Sequence, residues 1–314
     1  MSSVQMITID EDRDGQRVDN FLLYFLKGVP KSWVYRVIRK GEVRVNGKRV
    51  KPLTHLATGD LVRIPPVRTA VRAADAELST NMAQILTDAI LMEDDAMMVI
   101  NKPSGLAVHG GSGVSLGLIE SVRQMREDIR YVELVHRLDK DTSGCVMLAK
   151  KRGALKQLQN DIKQKVIRKN YLCLVAGRWP DDCDRVTAPL EKFALPSGER
   201  MVQVKDDGKK SLTLYKVLKR FDNYTLLQAS PVTGRTHQIR VHCQYMRCPI
   251  VGDVKYCPDD LLRQGAKDGF DRLFLHAESL SFNHPVSAEK QFVSAVLDPR
   301  LAKPLSRLKE GGSR

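Results

Sequence analysis

No stretch of this 314-residue chain approaches the roughly 18 consecutive apolar residues that a membrane span requires. A membrane protein is therefore not expected. The opening segment MSSVQMITIDEDRDG is acidic and has no long apolar region, so no secretion signal is expected and the chain reads as soluble and cytoplasmic. Cysteine is sparse: Cys145, Cys173, Cys183, Cys243, Cys248 and Cys257 are all there are, and no two form a C-x-x-C pair. That spacing argues against a zinc knuckle or a redox dithiol and leaves free buried thiols in a reducing compartment. Fixed-period repeats and long low-complexity segments are also missing.

Acids are outnumbered. Lys and Arg total 51 against 37 Asp and Glu, a formal charge of +14, which favours a polyanionic partner. With 42% apolar and 28% charged residues the chain holds enough material for a core and is not disordered throughout. At about 150 residues per domain its length suggests two domains.

Residues 16–64 read as one small unit. Val18, Phe21, Leu22, Phe25 and Leu26 form a single helical stripe. Ser32 is the expected cap of a second helix with Val34, Val37 and Ile38 inward, and Gly41 ends it. Val43-Arg44-Val45 alternates like a strand, Asn46-Gly47 signals a hairpin, and Leu61 to Ile64 is a further strand. Arg36, Arg39, Lys40, Arg44, Lys48, Arg49 and Lys51 crowd this unit, with Glu42 the one acid among them. A merely soluble surface interleaves both signs, so these cations are expected to meet phosphates. Arg17-Val18-Asp19, Ile38-Arg39-Lys40-Gly41, Val45-Asn46-Gly47 and Gly59-Asp60 resemble the S4-like RNA-binding module. Residues 65–84 open with Pro65-Pro66 and carry few large apolar groups before Met82, so they read as a linker. Residues 85–314 mix short β-branched runs with a clear helix bearing Leu155, Leu158 and Ile162. An α+β domain is expected there, with the last dozen residues frayed.

Four segments of this second part carry chemistry. His136-Arg137-Leu138-Asp139-Lys140-Asp141-Thr142-Ser143-Gly144 packs acids, bases and hydroxyls between apolar runs, either as an ordinary surface loop or as a turn aiming side chains into a cleft. Asp139-x-Asp141 also resembles the aspartyl-phosphate signature of dehalogenase-type phosphatases. His136-Arg137 interrupts the apolar approach that signature needs, however, and Ser143 stands where a threonine belongs. In Thr233 to His242, Thr236 is the expected helix cap, with Arg235 and Arg240 near its start as an anion site or as partners of a buried carboxylate. His237 and His242 lack a matching carboxylate or thiolate set, so a metal is not expected; they read as structural or RNA-contacting. Tyr171 stands between Arg168-Lys169 and an apolar strand, either as core or as a platform for an unpaired base. From Lys150 to Lys169 Asp161 is the one acid among eight basic residues. Asn101 to Gly111 is glycine-rich, as a phosphate cradle can be, but lacks a Walker pattern.

In order, NKPSGLAVHGGSG, HRLDKDTSG, RKNYLCLVAG and GRTHQIRVH, joined by Pro249 to Asp253 and Leu275-His276-Ala277, resemble the RluA superfamily of pseudouridine synthases. The resemblance implies a mixed, largely antiparallel sheet domain behind the S4-like unit, and isomerisation of uridine to pseudouridine. It implies Asp139 as the catalytic acid, Tyr171 in the active site, Arg240 paired with the acid, and Arg137 replacing a flipped base. Arg235 and His237 join the RNA contacts. Large-subunit ribosomal RNA is the implied partner and neither cofactor nor metal is required; a monomer is expected. The competing class is a non-catalytic RNA-binding factor of ribosome assembly.

Overall fold

In the computed structural model, which describes residues 3–26, 29–67, 77–110 and 116–310, contacts divide the chain after Glu77. The first unit begins with β1 (Gln5–Thr8), followed by α1 (Val18–Phe25) and α2 (Lys31–Lys40). Val18, Phe21 and Leu22 of α1 are buried against Val34, Val37 and Ile38 of α2, as the three-and-four spacing requires. Gly41 closes α2 in the left-handed region at φ +73. The helix does not start on a Ser32 cap. Pro30 holds the position before Lys31 at ψ 139 and no side chain caps the helix; proline fixes the entry angle and has no N–H to satisfy. β2 (Arg44–Val45) and β3 (Lys48–Arg49) form the expected hairpin, with Asn46 and Gly47 both at positive φ. With β4 (Leu61–Ile64) they complete an antiparallel sheet ordered β1-β4-β2-β3.

The proposed linker is shorter than expected at its far end. Residues 80–84 belong to α3 (Thr80–Asp88), which Ser79 caps by accepting from the Met82 amide at 3.3 Å. The apolar side of α3 is thin, with Leu86 its one buried residue, so periodicity alone carries little signal there. Residues 68–76 and the glycine-rich stretch 111–113 lie outside the described residues.

The second unit continues through β5 (Ile90–Glu93), β6 (Met97–Lys102), α4 (Leu118–Met125), β7 (Glu133–Leu134) and β8 (Ser143–Ala149). Next come α5 (Arg152–Lys163), β9 (Arg168–Ala176), β10 (Arg185–Thr187), the hairpin β11 (Leu190–Ala194) and β12 (Arg200–Val204), then β13 (Leu212–Arg220) and β14 (Tyr224–Pro231). The chain ends with α6 (Gln238–Tyr245), α7 (Asp259–Lys267), β15 (Leu275–Asn283), β16 (Lys290–Ser294) and α8 (Pro299–Arg307). A mixed sheet runs β10-β13-β14-β9-β15-β8-β6-β5, with β16 on β15 and β7 on β8. Its core includes Trp179, Phe270, Phe274 and Leu227, while Leu158 of α5 packs with Met97, Met147 and Phe282 in a second cluster. The last dozen residues are not frayed throughout: α8 runs to Arg307 with Pro304 buried, and residues 311–314 lie outside the described residues. Among the described residues no helix is long and apolar enough to cross a membrane.

One pairing in the sheet is parallel, β8 with β15, through His276 opposite Ser143 and Ala277 opposite Gly144. Gly144 sits at φ +108, and a Cβ there would lie 2.3 Å from the Ala277 carbonyl oxygen. Only glycine lets the two backbones approach this closely. The segment 139–143, just before Gly144, is thereby anchored to the middle of the sheet.

Candidate active site

Three sequence-distant segments, 135–139, 167–171 and 230–240, line one cleft of about 890 Å³ in the second unit. Asp139 lies on the loop between β7 and β8, which is braced from behind. The Lys102 ammonium donates to the carbonyls of Pro103, Leu106 and Lys140 at 2.8, 2.7 and 3.0 Å. Ser104 Oγ donates to the Asp141 carbonyl at 2.7 Å, and the Gly105 amide to Lys140 at 2.9 Å. The Asn101-Lys102-Pro103-Ser104-Gly105 motif thus grips the neighbouring loop rather than a phosphate. Lys102 is fully buried, and burial pushes its pKa down to about 7. Its three carbonyl partners match the three N–H groups of the charged form.

The other end of the loop is held by Ser143. Its hydroxyl lies 2.9 Å from His276 Nδ1 and accepts from Arg272 Nη2 at 2.7 Å, and Arg272 in turn pairs with Asp298 at 2.7 Å. Every member of this network has a partner, which makes it a rigid support.

The Asp139 side chain is 23% exposed, with Oδ2 3.8 Å from Arg240 Nη1 and 3.8 Å from His237 Nε2. Arg240 is 4% exposed. Its two-point partner is Asp253, with Nε to Oδ2 at 2.7 Å and Nη2 to Oδ1 at 2.6 Å. The expected pairing with Asp139 is thus present at longer range, on a guanidinium already oriented by a second carboxylate. Burial opposes the charge on Arg240, but the hydrogen bonds and charge of Asp253, with the charge of Asp139, hold its pKa above the ordinary value. Tyr171 is almost wholly buried; burial, reinforced by the charge of Asp139, raises its pKa and keeps the phenol protonated.

Gln238 sets the start of α6. Its amide oxygen accepts from Thr233 Oγ1 and the Arg235 amide, at 2.8 and 3.0 Å, while its nitrogen donates to the Leu212 carbonyl and Thr213 Oγ1. Thr236 is not the cap. His237 takes that position in the left-handed region at φ +53, uncommon for a residue that is not glycine and a frequent mark of functional sites. Arg137 and Arg235 are exposed on the cleft, and Arg137 has no ion-pair partner among the described residues. His242 is fully buried, its Nε2 2.8 Å from Ser211 Oγ, and is structural. In the first unit Arg36, Arg39, Lys40, Arg44, Lys48 and Arg49 are all exposed, and none is in an ion pair among the described residues. Their positive potential is therefore uncompensated locally.

Asp253, Tyr256 and Lys102 had no assigned role in the sequence. A buried acid at the end of the apolar run Ile250-Val251 was a signal for Asp253, because such a carboxylate needs a cation. Gly252 at φ +72 makes the turn that delivers it, and a Cβ there would lie 2.1 Å from the Arg272 carbonyl oxygen.

The arrangement supplies a carboxylate with one oxygen between two nitrogen donors, a protonated phenol nearby and a cationic rim. Comparison with known proteins is consistent across the chain. The family described as RNA pseudouridylate synthase matches residues 96–245, and the S4 domain matches residues 16–62. Ribosomal large subunit pseudouridine synthase C of Haemophilus influenzae is 51% identical over 311 residues, covering 98% of this chain and 96% of that one. Its namesake from Escherichia coli is 51% identical, with 98% and 97% covered. Among solved structures, Human RNA Pseudouridylate Synthase Domain Containing 4 superposes with a TM-score of 0.61 at 26% identity, covering 74% of this chain and 98% of that one.

Proposed function

We infer that this chain, which belongs to the RNA pseudouridylate synthase family, isomerises uridine to pseudouridine in large-subunit ribosomal RNA, the target in its relatives' names. The net reaction breaks the bond from ribose C1′ to uracil N1 and forms one from C1′ to C5. One proton leaves C5 and one is taken up at N1. Nothing is oxidised, reduced or added.

In this reading Asp139 is the catalytic residue, ionised and acting as nucleophile or as base toward the sugar. Arg240, facing it at 3.8 Å, fixes its direction. A stacked uridine cannot reach such a group, so the nucleotide leaves the helix at a cost of a few kcal/mol. Arg137 fills the vacated space and Tyr171 stacks on the detached uracil. Arg235 meets phosphates at the rim. Residues 16–64 add affinity for structured RNA through the cations of α2 and the β2–β3 hairpin, and the enzyme works as a monomer in the cytoplasm.

The observation that carries this reading is the carboxylate of Asp139 facing Arg240 at 3.8 Å in a cleft that also holds the Tyr171 ring. A protein that only bound RNA has no use for a carboxylate turned toward phosphates. The test is release of tritium from RNA labelled at uridine C5. Asp139→Asn is expected to bind RNA as the wild type does and to release none. Turnover by that variant would remove Asp139 from its role, and binding without turnover by the wild type would leave a non-catalytic assembly factor.

A further inference from the structure

The two nitrogen donors facing Asp139 both approach the same oxygen, Oδ2. Oδ1 accepts no hydrogen bond from the described residues, and the two approaches to Oδ2 are longer than hydrogen bonds. Arg240 is oriented by Asp253; what orients His237 is Tyr256. The His237 side chain is 13% exposed, and its Nδ1 lies 2.6 Å from Tyr256 Oη. That same oxygen accepts from the Val202 amide at 3.0 Å, and the two rings meet edge to face at 5.5 Å.

Proton counting then fixes the imidazole. The phenol has a single proton, and its oxygen has no acceptor other than Nδ1 among the described residues. Donating that proton to Nδ1 satisfies both groups and leaves the imidazole proton on Nε2. The reverse arrangement strands the buried phenol proton, which is costly. Burial, helped by Arg240 and Lys255 and opposed by Asp139 and Asp253, holds the His237 pKa below its usual value, so the ring is neutral at pH 7. Burial likewise raises Tyr256 to about 12, which keeps its proton in place.

We propose that Tyr256 is a positioning residue which locks His237 with its Nε2–H turned toward Asp139 Oδ2, leaving Oδ1 as the oxygen presented to the flipped uridine. Tyr256 also carries the Arg240 guanidinium over its ring face at 5.0 Å, so one side chain orients both donors. The left-handed backbone at His237 is the strain tolerated to bring the ring there. This inference rests on the function proposed above, and two measurements separate the two.

The first needs no RNA. Nitrogen-15 spectra of histidine-labelled protein at pH 7 are expected to show His237 neutral with its proton on Nε2 and a hydrogen bond accepted at Nδ1, the latter lost in Tyr256→Phe. A proton on Nδ1 in the wild type overturns the proposal. The second is tritium release from a large-subunit ribosomal RNA transcript. His237→Asn tolerates the left-handed backbone but is too short to reach Asp139; it is expected to lower kcat about tenfold or more with little change in KM. His237→Gln, whose amide nitrogen reaches the Nε2 position, is expected to recover most of that loss. Tyr256→Phe keeps the ring under Arg240 and is expected to slow the His237 enzyme but not the His237→Gln enzyme. Equal slowing in both backgrounds, or full activity in His237→Asn, overturns the proposal. A wild-type protein inactive on the transcript overturns the function itself, and the spectra then judge the tautomer alone.

Discussion

Arg240 and Asp253 form a two-point ion pair buried at both ends, with side chains 4% and 0% exposed and contacts of 2.7 and 2.6 Å. The pair leaves Nη1 of the guanidinium to face Asp139 at 3.8 Å. Removing one partner of such a pair strands a charge away from water.

Asp253→Asn is therefore expected to cost about 3–5 kcal/mol of stability and to lower turnover at least tenfold, as Arg240 swings toward Asp139. Calorimetry and tritium release read the two effects. An unchanged melting temperature would mean that Arg240 finds its partner elsewhere.

Lys102 gives a pH dependence whose sign is fixed. Burial lowers its pKa from 10.5 to about 7 in the folded protein, so between those values the unfolded chain binds more protons. Stability therefore rises with pH across that window. Lys102→Met has no proton to exchange and is expected to flatten the rise. It also removes the lysine donor from these carbonyls, costing about 1–3 kcal/mol, and loosens the loop that carries Asp139. Denaturant unfolding of both proteins at pH 7.5 and 9.5 checks the slope, and parallel curves would contradict it.

In the first unit, changing Arg36 and Arg39 together to Gln is expected to weaken RNA binding while kcat at saturating RNA stays constant. The dependence of log K on log salt should become shallower by about 0.7–0.9 for each phosphate that the variant no longer neutralises. A filter-binding titration at several salt concentrations measures this; an identical slope would show that these cations do not touch RNA.

Gly144→Ala tests the close approach of β8 to β15. With φ at +108 and a carbonyl oxygen 2.3 Å from the new methyl, about 2–5 kcal/mol is expected to be lost. Gly59→Ala is the control: it also has a positive φ but nothing within 4 Å, so its cost is backbone strain alone. Equal losses in the two variants would mean that the sheet yields there.

The sequence is most informative where the physics is local. The stripe from Val18, the Asn46-Gly47 turn and the left-handed Gly41 need only their neighbours. The order of the motifs around Asp139, Tyr171 and Arg240 carries the resemblance to a family, and the fold brings those side chains to one cleft. Illegible are groups whose role depends on a distant partner. Lys102 resembles part of a phosphate loop because its acceptors include a backbone carbonyl at residue 140, which no side-chain pattern reveals. Asp253 ends a matched segment and Tyr256 lies beyond it, and their connection to Arg240 and His237 exists only once α6 packs beside them. The start of α3 escapes the pattern because a single capping serine outweighs a weak apolar stripe.

Ser143 and His276 touch across 133 positions of sequence. The segment that presents Asp139 is consequently seated by a strand synthesised long after it. A nascent polypeptide lacking its final portion has every residue of the HRLD motif and no settled place for the carboxylate. The place of that loop is therefore a property of the whole second unit, since β15 must lie beside β8 before Ser143 meets His276.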